Sequence, residues 1–234
     1  MARTQDGAPA ALMTPRPLMT AGPLMTPKPL MTARFLIAAG RLVALGLLVA
    51  FGQAEARAQD RAQETATTDM AAMAALLARP AHAALMRHAA APGTGDPDHF
   101  RLDDCATQRN LSDQGRTEAA ATGRRLAASG ITTATVLTSR WCRATDTARL
   151  LDLGPVTPFP PLDSFFRDRG RADAAATAIR DRIAGRQAGD PPLIMVSHQV
   201  NITAATGIFP TSGEIVVVEV TPDGDAIPRA RIRP

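Results

Sequence analysis

Three short stretches of this chain set reactive side chains directly after apolar runs. Ala83-Ala84-Leu85-Met86 ends in Arg87-His88. Thr138 is followed by Ser139-Arg140, with Arg143 close behind. "PLIMVS" ends in Ser197-His198. Two imidazoles gathered with several guanidinium groups resist protonation, because a further positive charge is repelled. A ring nitrogen then stays unprotonated and nucleophilic near neutral pH. The same guanidinium groups pair in bidentate fashion with the oxygens of a tetrahedral dianion. Arg143 also falls in the first turn of an expected helix, whose N-terminus favours anions. The chemistry that suits this set is transfer of a phosphoryl group to a histidine.

Such a set works only if the fold brings the three stretches together. Apolar and β-branched runs predict strands at 82–87, 134–138, 156–159, 192–197, 214–220 and 226–232. Helices are expected from an Asp69 cap to about Leu77, from a Ser112 cap to about Ala128 with Gly130 as the stop, and over 141–151, 171–185 and 199–206. Alternating strands and helices predict an α/β domain, a three-layer α/β/α sandwich around a largely parallel sheet. Ligands of such sheets bind beyond the carboxyl ends of the strands, where all three stretches terminate. Residues 89–110 form a long loop rich in Pro, Gly and Asp, of the kind that carries function. Within it Gln108-Arg109-Asn110 either lines a pocket or is a solvated loop.

The pattern resembles the histidine phosphatase superfamily, the phosphoglycerate-mutase-like group. Arg87-His88 stands where that family opens with an Arg-His pair, and Ala89 replaces its usual Gly. "LSDQGRTEA" (111–119) and "SRWCRATDTA" (139–148) follow in the family's order, then "MVSHQVNI" with His198. The resemblance covers residues 82–220. It implies that His88 attacks phosphorus, that Arg87, Arg143 and His198 hold the phosphate oxygens, and that water hydrolyses the phosphohistidine. Arg140 is a further candidate phosphate ligand, with an ion pair to Asp146 or a helix end as the alternative. Many members take their proton donor, a Glu, from the loop after the third strand. Here that loop is "PPLDSFFRDRG" and holds no Glu, so Asp163 is the expected catalytic acid and Asp168 the second choice. Gln199 stands where acid phosphatases of the group often have Asp.

Other uses of these residues fit less well. No two of the four histidines lie at i, i+4 on a helix, and arginines beside His88 repel a cation, so no metal or other cofactor is expected. His82 and His99 read as structural or exposed. A cysteine phosphatase needs Arg six residues after the Cys, and those positions hold Leu111 and Ala148. The expected activity is hydrolysis of small phosphate monoesters. A phosphate-binding protein without turnover and a phosphohistidine-protein phosphatase remain the alternatives.

The first 58 residues stand apart. Residues 12–35 repeat every six residues and read as an unstructured extension over 1–33, or as the product of a misassigned start, since Met31 would begin a signal of ordinary length. Residues 34–58 have the layout of a secretory signal: Arg34, an apolar run to Phe51, and an Ala56-Arg57-Ala58 cleavage signature. The formal charge of +4 resides in this leader. Residues 59–234 hold 20 Arg, no Lys and 20 Asp plus Glu, so no nucleic-acid footprint is read from it. The phosphatase-like domain is expected at 59–234, in the periplasm or secreted, with no stable membrane insertion after cleavage. In that setting Cys105 and Cys142 are a candidate disulfide.

Overall fold

The computed structural model describes residues 70–234. The six-residue repeats, the signal segment, the stretch 59–68 and the Asp69 cap lie outside the described residues. Six strands form one sheet: β1 (His82–Arg87), β2 (Thr135–Thr138), β3 (Val156–Pro158), β4 (Leu193–Ser197), β5 (Ile215–Val220) and β6 (Ala226–Ile232). Their order is β3-β2-β4-β1-β5-β6. The first four in that order run parallel, while β5 pairs antiparallel with both β1 and β6. The sheet is therefore mixed but mostly parallel. Pro158 and Pro228 sit on its two edge strands, where a missing N–H costs least.

Helices cover both faces. They are α1 (70–77), α2 (Asp113–Ala128), α3 (Cys142–Leu150), α4 (Ala172–Ala184) and α5 (Gln199–Thr206). The central strands alternate which layer they feed. Ala84, Met86, Val136, Ile194, Val196, Ile215 and Val217 pack with side chains of α1, α2 and α3. Ala83, Leu85, Leu137, Leu193, Met195, Val216 and Val218 pack with those of α4 and α5. Burial on both faces explains why these strands are apolar throughout. Each buried Leu, Ile, Val or Met contributes about 1.5–3 kcal/mol.

Register levels the ends of the three central strands. Met86 and Thr138 both pair with Val196, and Arg87 pairs with Ser197. The ladder continues one step past the strands: His88 N–H donates to Ser197 O, and Ser139 N–H donates to Val196 O. The residues that follow each strand thus emerge side by side at one edge.

Helix α2 supports that edge from outside. Ser112 caps it, accepting from Gly115 N–H at 3.0 Å, and Ser112 N–H donates to Ala90 O. Gly130, at φ +95°, follows its last turn in the left-handed region that glycine tolerates. Gly115 is needed for a different reason. A Cβ there would lie 2.1 Å from Ala90 O, so the helix start can approach the backbone beyond His88 only without a side chain. Gly115→Ala is expected to cost about 1–3 kcal/mol, read as a fall in Tm by thermal melting. An unchanged Tm would show that α2 can shift away from the 88–91 segment without loss.

Candidate active site

The carboxyl ends of β1, β2 and β4 open into a cleft of about 560 Å³. Arg87, His88, Arg143 and His198 all line it. The two imidazoles face each other in a T-shaped arrangement, ring centroids 5.4 Å apart, and both rings are almost completely buried.

Their hydrogen bonds assign the tautomers. His88 Nδ1 lies 2.8 Å from Ala89 O, which can only accept, so Nδ1 carries the proton. Nε2 is then the bare nitrogen, and Arg143 Nε–H points at it from 3.3 Å. Burial first, and the charge of Arg143 second, push the His88 pKa down to about 3, with Arg109 and Arg87 adding to the effect. His198 is held well below the ordinary imidazole range, again by burial first and Arg143 second. Both rings are neutral at pH 7, as a nucleophilic imidazole requires.

Arg143 is positioned from both ends of its guanidinium. Its Nε edge faces the histidines, with Nη2 3.5 Å from His198 Nδ1. Its terminal nitrogens donate to Asp96 Oδ1 at 2.6 Å and Oδ2 at 3.2 Å. Asp96 also accepts from Trp141 Nε1 at 3.0 Å and Arg109 N–H at 3.2 Å. Burial alone would raise the Asp96 pKa. The bonds and charge of Arg143 outweigh it and hold the carboxyl below its usual range, so Asp96 stays ionised. Arg143 Nη1 donates in addition to Arg109 O at 3.3 Å.

The second threonine of "SRWCRATDTA" ties this helix to the segment that follows β1. Thr147 Oγ1 accepts from Ala89 N–H at 3.0 Å and donates to Arg143 O at 2.7 Å. Ala89 itself packs with Leu111 and Ala119, away from the cleft, so its methyl group does not crowd a phosphate. Arg87 is fixed from the other side, where Nη1 donates to Pro210 O at 2.9 Å. The loop that carries Pro210 is pinned by buried Glu214, which accepts from Thr211 N–H and from Arg231 Nε.

Two expected site residues are placed elsewhere. Asp163 is buried but does not line the cleft. Its oxygens accept from Arg140 N–H at 2.8 Å, from Arg140 Nε at 2.8 Å and from Arg140 Nη2 at 2.6 Å. Both carboxylate oxygens are thus engaged by charged or backbone donors, which suits an ion pair and not a proton donor. Arg140 is corrected with it. Its guanidinium turns away from the cleft to grip Asp163, and Asp146 pairs instead with Arg116. Asp168, the second choice, is exposed and also off the cleft.

Asp163 nevertheless reaches the site through Ser139. His198 Nδ1 accepts from Arg143, so its Nε2–H donates to Ser139 Oγ at 2.8 Å, and Ser139 in turn donates to Asp163 Oδ1 at 3.4 Å. The pair sets the orientation of His198. His82 lies at the far end of β1 with Nδ1 bonded to Pro80 O, and His99 is exposed.

Cys105 and Cys142 are joined, with Cα atoms 5.7 Å apart. The bridge fastens the 89–110 loop to the first residue of α3, beside Arg143. Gln108 reinforces the same joint. Its Oε1 accepts from Cys142 N–H at 2.9 Å, and its amide donates to Arg101 O and Leu102 O. Arg109 lines the cleft, bonded to Gly95 O and Ala91 O, its pKa pushed down to about 10 by burial and by Arg143. The sequence left Arg109 open between pocket lining and solvated loop, and it lines the cleft; Asp96 and Trp141, which line it too, were not singled out. The Gly-Asp turn "GTGDP" beside the Arg-His pair is the one local signal that pointed at them.

Solved structures similar to this chain include the protein histidine phosphatase SixA complexed with tungstate. It is 19% identical, with 64% of this chain and 96% of that chain covered, at a TM-score of 0.45. The mycobacterial glucosyl-3-phosphoglycerate phosphatase complexed with VO3 is 17% identical, covering 59% of this chain and 92% of that chain, at a TM-score of 0.44. Bacillus stearothermophilus YhfR is 17% identical, covering 62% and 93%, also at 0.44. No family model and no curated protein matches the chain.

Two predictions follow from the geometry. Asp163→Asn, as the loss of a positioning group, is expected to lower kcat by about tenfold for p-nitrophenyl phosphate and for an alkyl phosphate alike. A selective loss on the alkyl ester would restore Asp163 as the acid. Stability should also depend on pH. The unfolded chain protonates His88 near about 6.5, the folded chain only at about 3. Between those values the unfolded state binds the extra proton, so stability is complete above the upper value and is lost as pH falls. Urea midpoints measured from pH 7 to 4 should fall, and His88→Gln should flatten the decline.

Proposed function

We propose that this protein is an exported phosphatase that hydrolyses phosphate monoesters through a phosphohistidine on His88. The observation that carries the reading is the bare Nε2 of a buried neutral imidazole, 3.3 Å from the Nε of a buried arginine. A phosphoryl group entering between the two rings takes the Nε and Nη2 hydrogens of Arg143, which currently meet ring nitrogens. Arg87 and Arg109 add charge from the cleft wall. Burial first and the Arg143 charge second keep His198 neutral, and the dianion offsets the second of these, so Nδ1 can carry a proton and donate a hydrogen bond to a phosphate oxygen.

His88 Nε2 attacks phosphorus, forming the N–P bond as the P–O bond to the leaving group breaks with its electron pair. The arginines stay in place for the charge that spreads over the equatorial oxygens in the transition state. Water then attacks phosphorus, the N–P bond breaks, and the pair returns to Nε2. Export rests on the secretory layout of residues 34–58 and agrees with a Cys105–Cys142 bridge, a bond that persists in oxidising compartments. The substrate class is a small phosphorylated molecule.

The full chain with p-nitrophenyl phosphate tests the assignment. His88→Ala should lower kcat at least roughly 10³-fold, and acid-labile phosphate should be trapped on His88 of the wild type. The acidic limb of kcat/KM should fall below the ordinary imidazole range once the substrate's own second ionisation is allowed for. Undiminished hydrolysis by His88→Ala would sink the proposal.

A further inference from the structure

The mouth of the cleft carries features that phosphoryl transfer alone does not use. Phe166 and Phe209 are 44% and 68% exposed, and they are two of the three large apolar side chains left exposed among the described residues. Both line this cleft. Solvent-facing phenylalanines gathered at one opening mark a surface built to be covered by an apolar or aromatic body. Arg167 and Arg169 line the same mouth. Arg169 stands over the Phe166 ring, 5.2 Å from its centroid, and Arg167 donates to Pro97 O at 3.2 Å on the opposite loop. The rim therefore offers a second cationic site, separate from the Arg87–Arg143 cradle, alternating with aromatic surface.

Chemistry inside the cleft narrows the leaving group. Asp96 is the one carboxylate among the described lining residues, and it is ionised and chelated by Arg143. Gln199, next to His198, has no acidic proton. A leaving alkoxide needs a proton, and general acid help is worth roughly 10²–10⁴-fold. A leaving phosphate monoester needs none, because it departs as a stable anion.

Building on the phosphatase reading above, we infer that the favoured substrates, beyond monoesters whose alcohol leaves readily, are terminal diphosphates of an apolar or aromatic-bearing alcohol. The outer phosphorus sits in the Arg87–Arg143 cradle, the inner phosphate meets Arg167 and Arg169, and the organic group lies on Phe166 and Phe209. His88 Nε2 attacks the outer phosphorus, and the bond from that phosphorus to the bridging oxygen breaks. The electron pair leaves on that oxygen, now part of a phosphate monoester. Water attack on the phosphohistidine releases inorganic phosphate and restores the ring. A nucleoside diphosphate and a prenyl diphosphate share this chemistry.

The full chain assayed with ADP, farnesyl diphosphate, acetyl phosphate and glycerol 3-phosphate tests the inference. Acetyl phosphate also leaves without an acid but has neither a second phosphate nor an apolar body. One or both diphosphates should show a higher kcat/KM than acetyl phosphate, and glycerol 3-phosphate should be at least about 100-fold slower. The better diphosphate identifies the source as nucleoside or lipid. Arg169→Ala and Phe209→Ala should each lower the ratio of diphosphate to acetyl phosphate turnover about tenfold. Glycerol 3-phosphate turned over as well as the diphosphates, neither diphosphate hydrolysed while acetyl phosphate is, or a ratio unmoved by both variants would overturn it. Absence of any turnover and of phosphate on His88 would instead overturn the phosphatase assignment beneath it.

Discussion

A buried guanidinium pressed against two neutral imidazoles is the constraint around which the rest of this protein is arranged. The Arg143 side chain is only 3% exposed, and burial alone lowers its hold on the proton. An isolated charge in that position would be costly, and Asp96 offsets the cost with two charge-assisted bonds on the side away from the histidines. The result is directional. One edge of the guanidinium is satisfied by protein, and the other faces ring nitrogens that a phosphate oxygen can replace.

Everything that fixes this contact comes from a different part of the chain. Strand register brings His88, Ser139 and His198 to one level. Thr147 locks the first turns of α3 to the backbone after His88. The Ser139–Asp163–Arg140 chain holds the ring of His198 from behind. Gly115 lets α2 press on Ala90 from outside. Each support is a hydrogen bond or close approach between rigid elements, which is what holds catalytic groups to the tolerance that preorganised electrostatics demands.

The strands and helices were legible in the sequence because each is written locally. An apolar run such as 193–197 or a Ser112 cap needs no distant partner to be read, and most boundaries fell within a residue or two. The histidines and Arg143 were legible because strand ends in parallel sheets converge. Asp163 and Arg140 were misread for a physical reason. A loop sequence shows that a carboxylate is near the site but not which way it turns, and here the two charges satisfy each other. Asp96 was missed because it sits in an irregular loop with no periodicity to follow, and its partner lies 47 positions on, beyond α2 and β2.

The bridge between Cys105 and Cys142 joins two parts of the pocket wall that lie far apart in the chain. It welds the segment that carries Asp96 and Arg109 to the residue next to Arg143. Closing a loop of that length in the unfolded chain is worth about 2–4 kcal/mol. The loop that brings Asp96 and Arg109 against Arg143 is therefore fastened covalently to the first residue of α3, one position from the arginine it helps to hold.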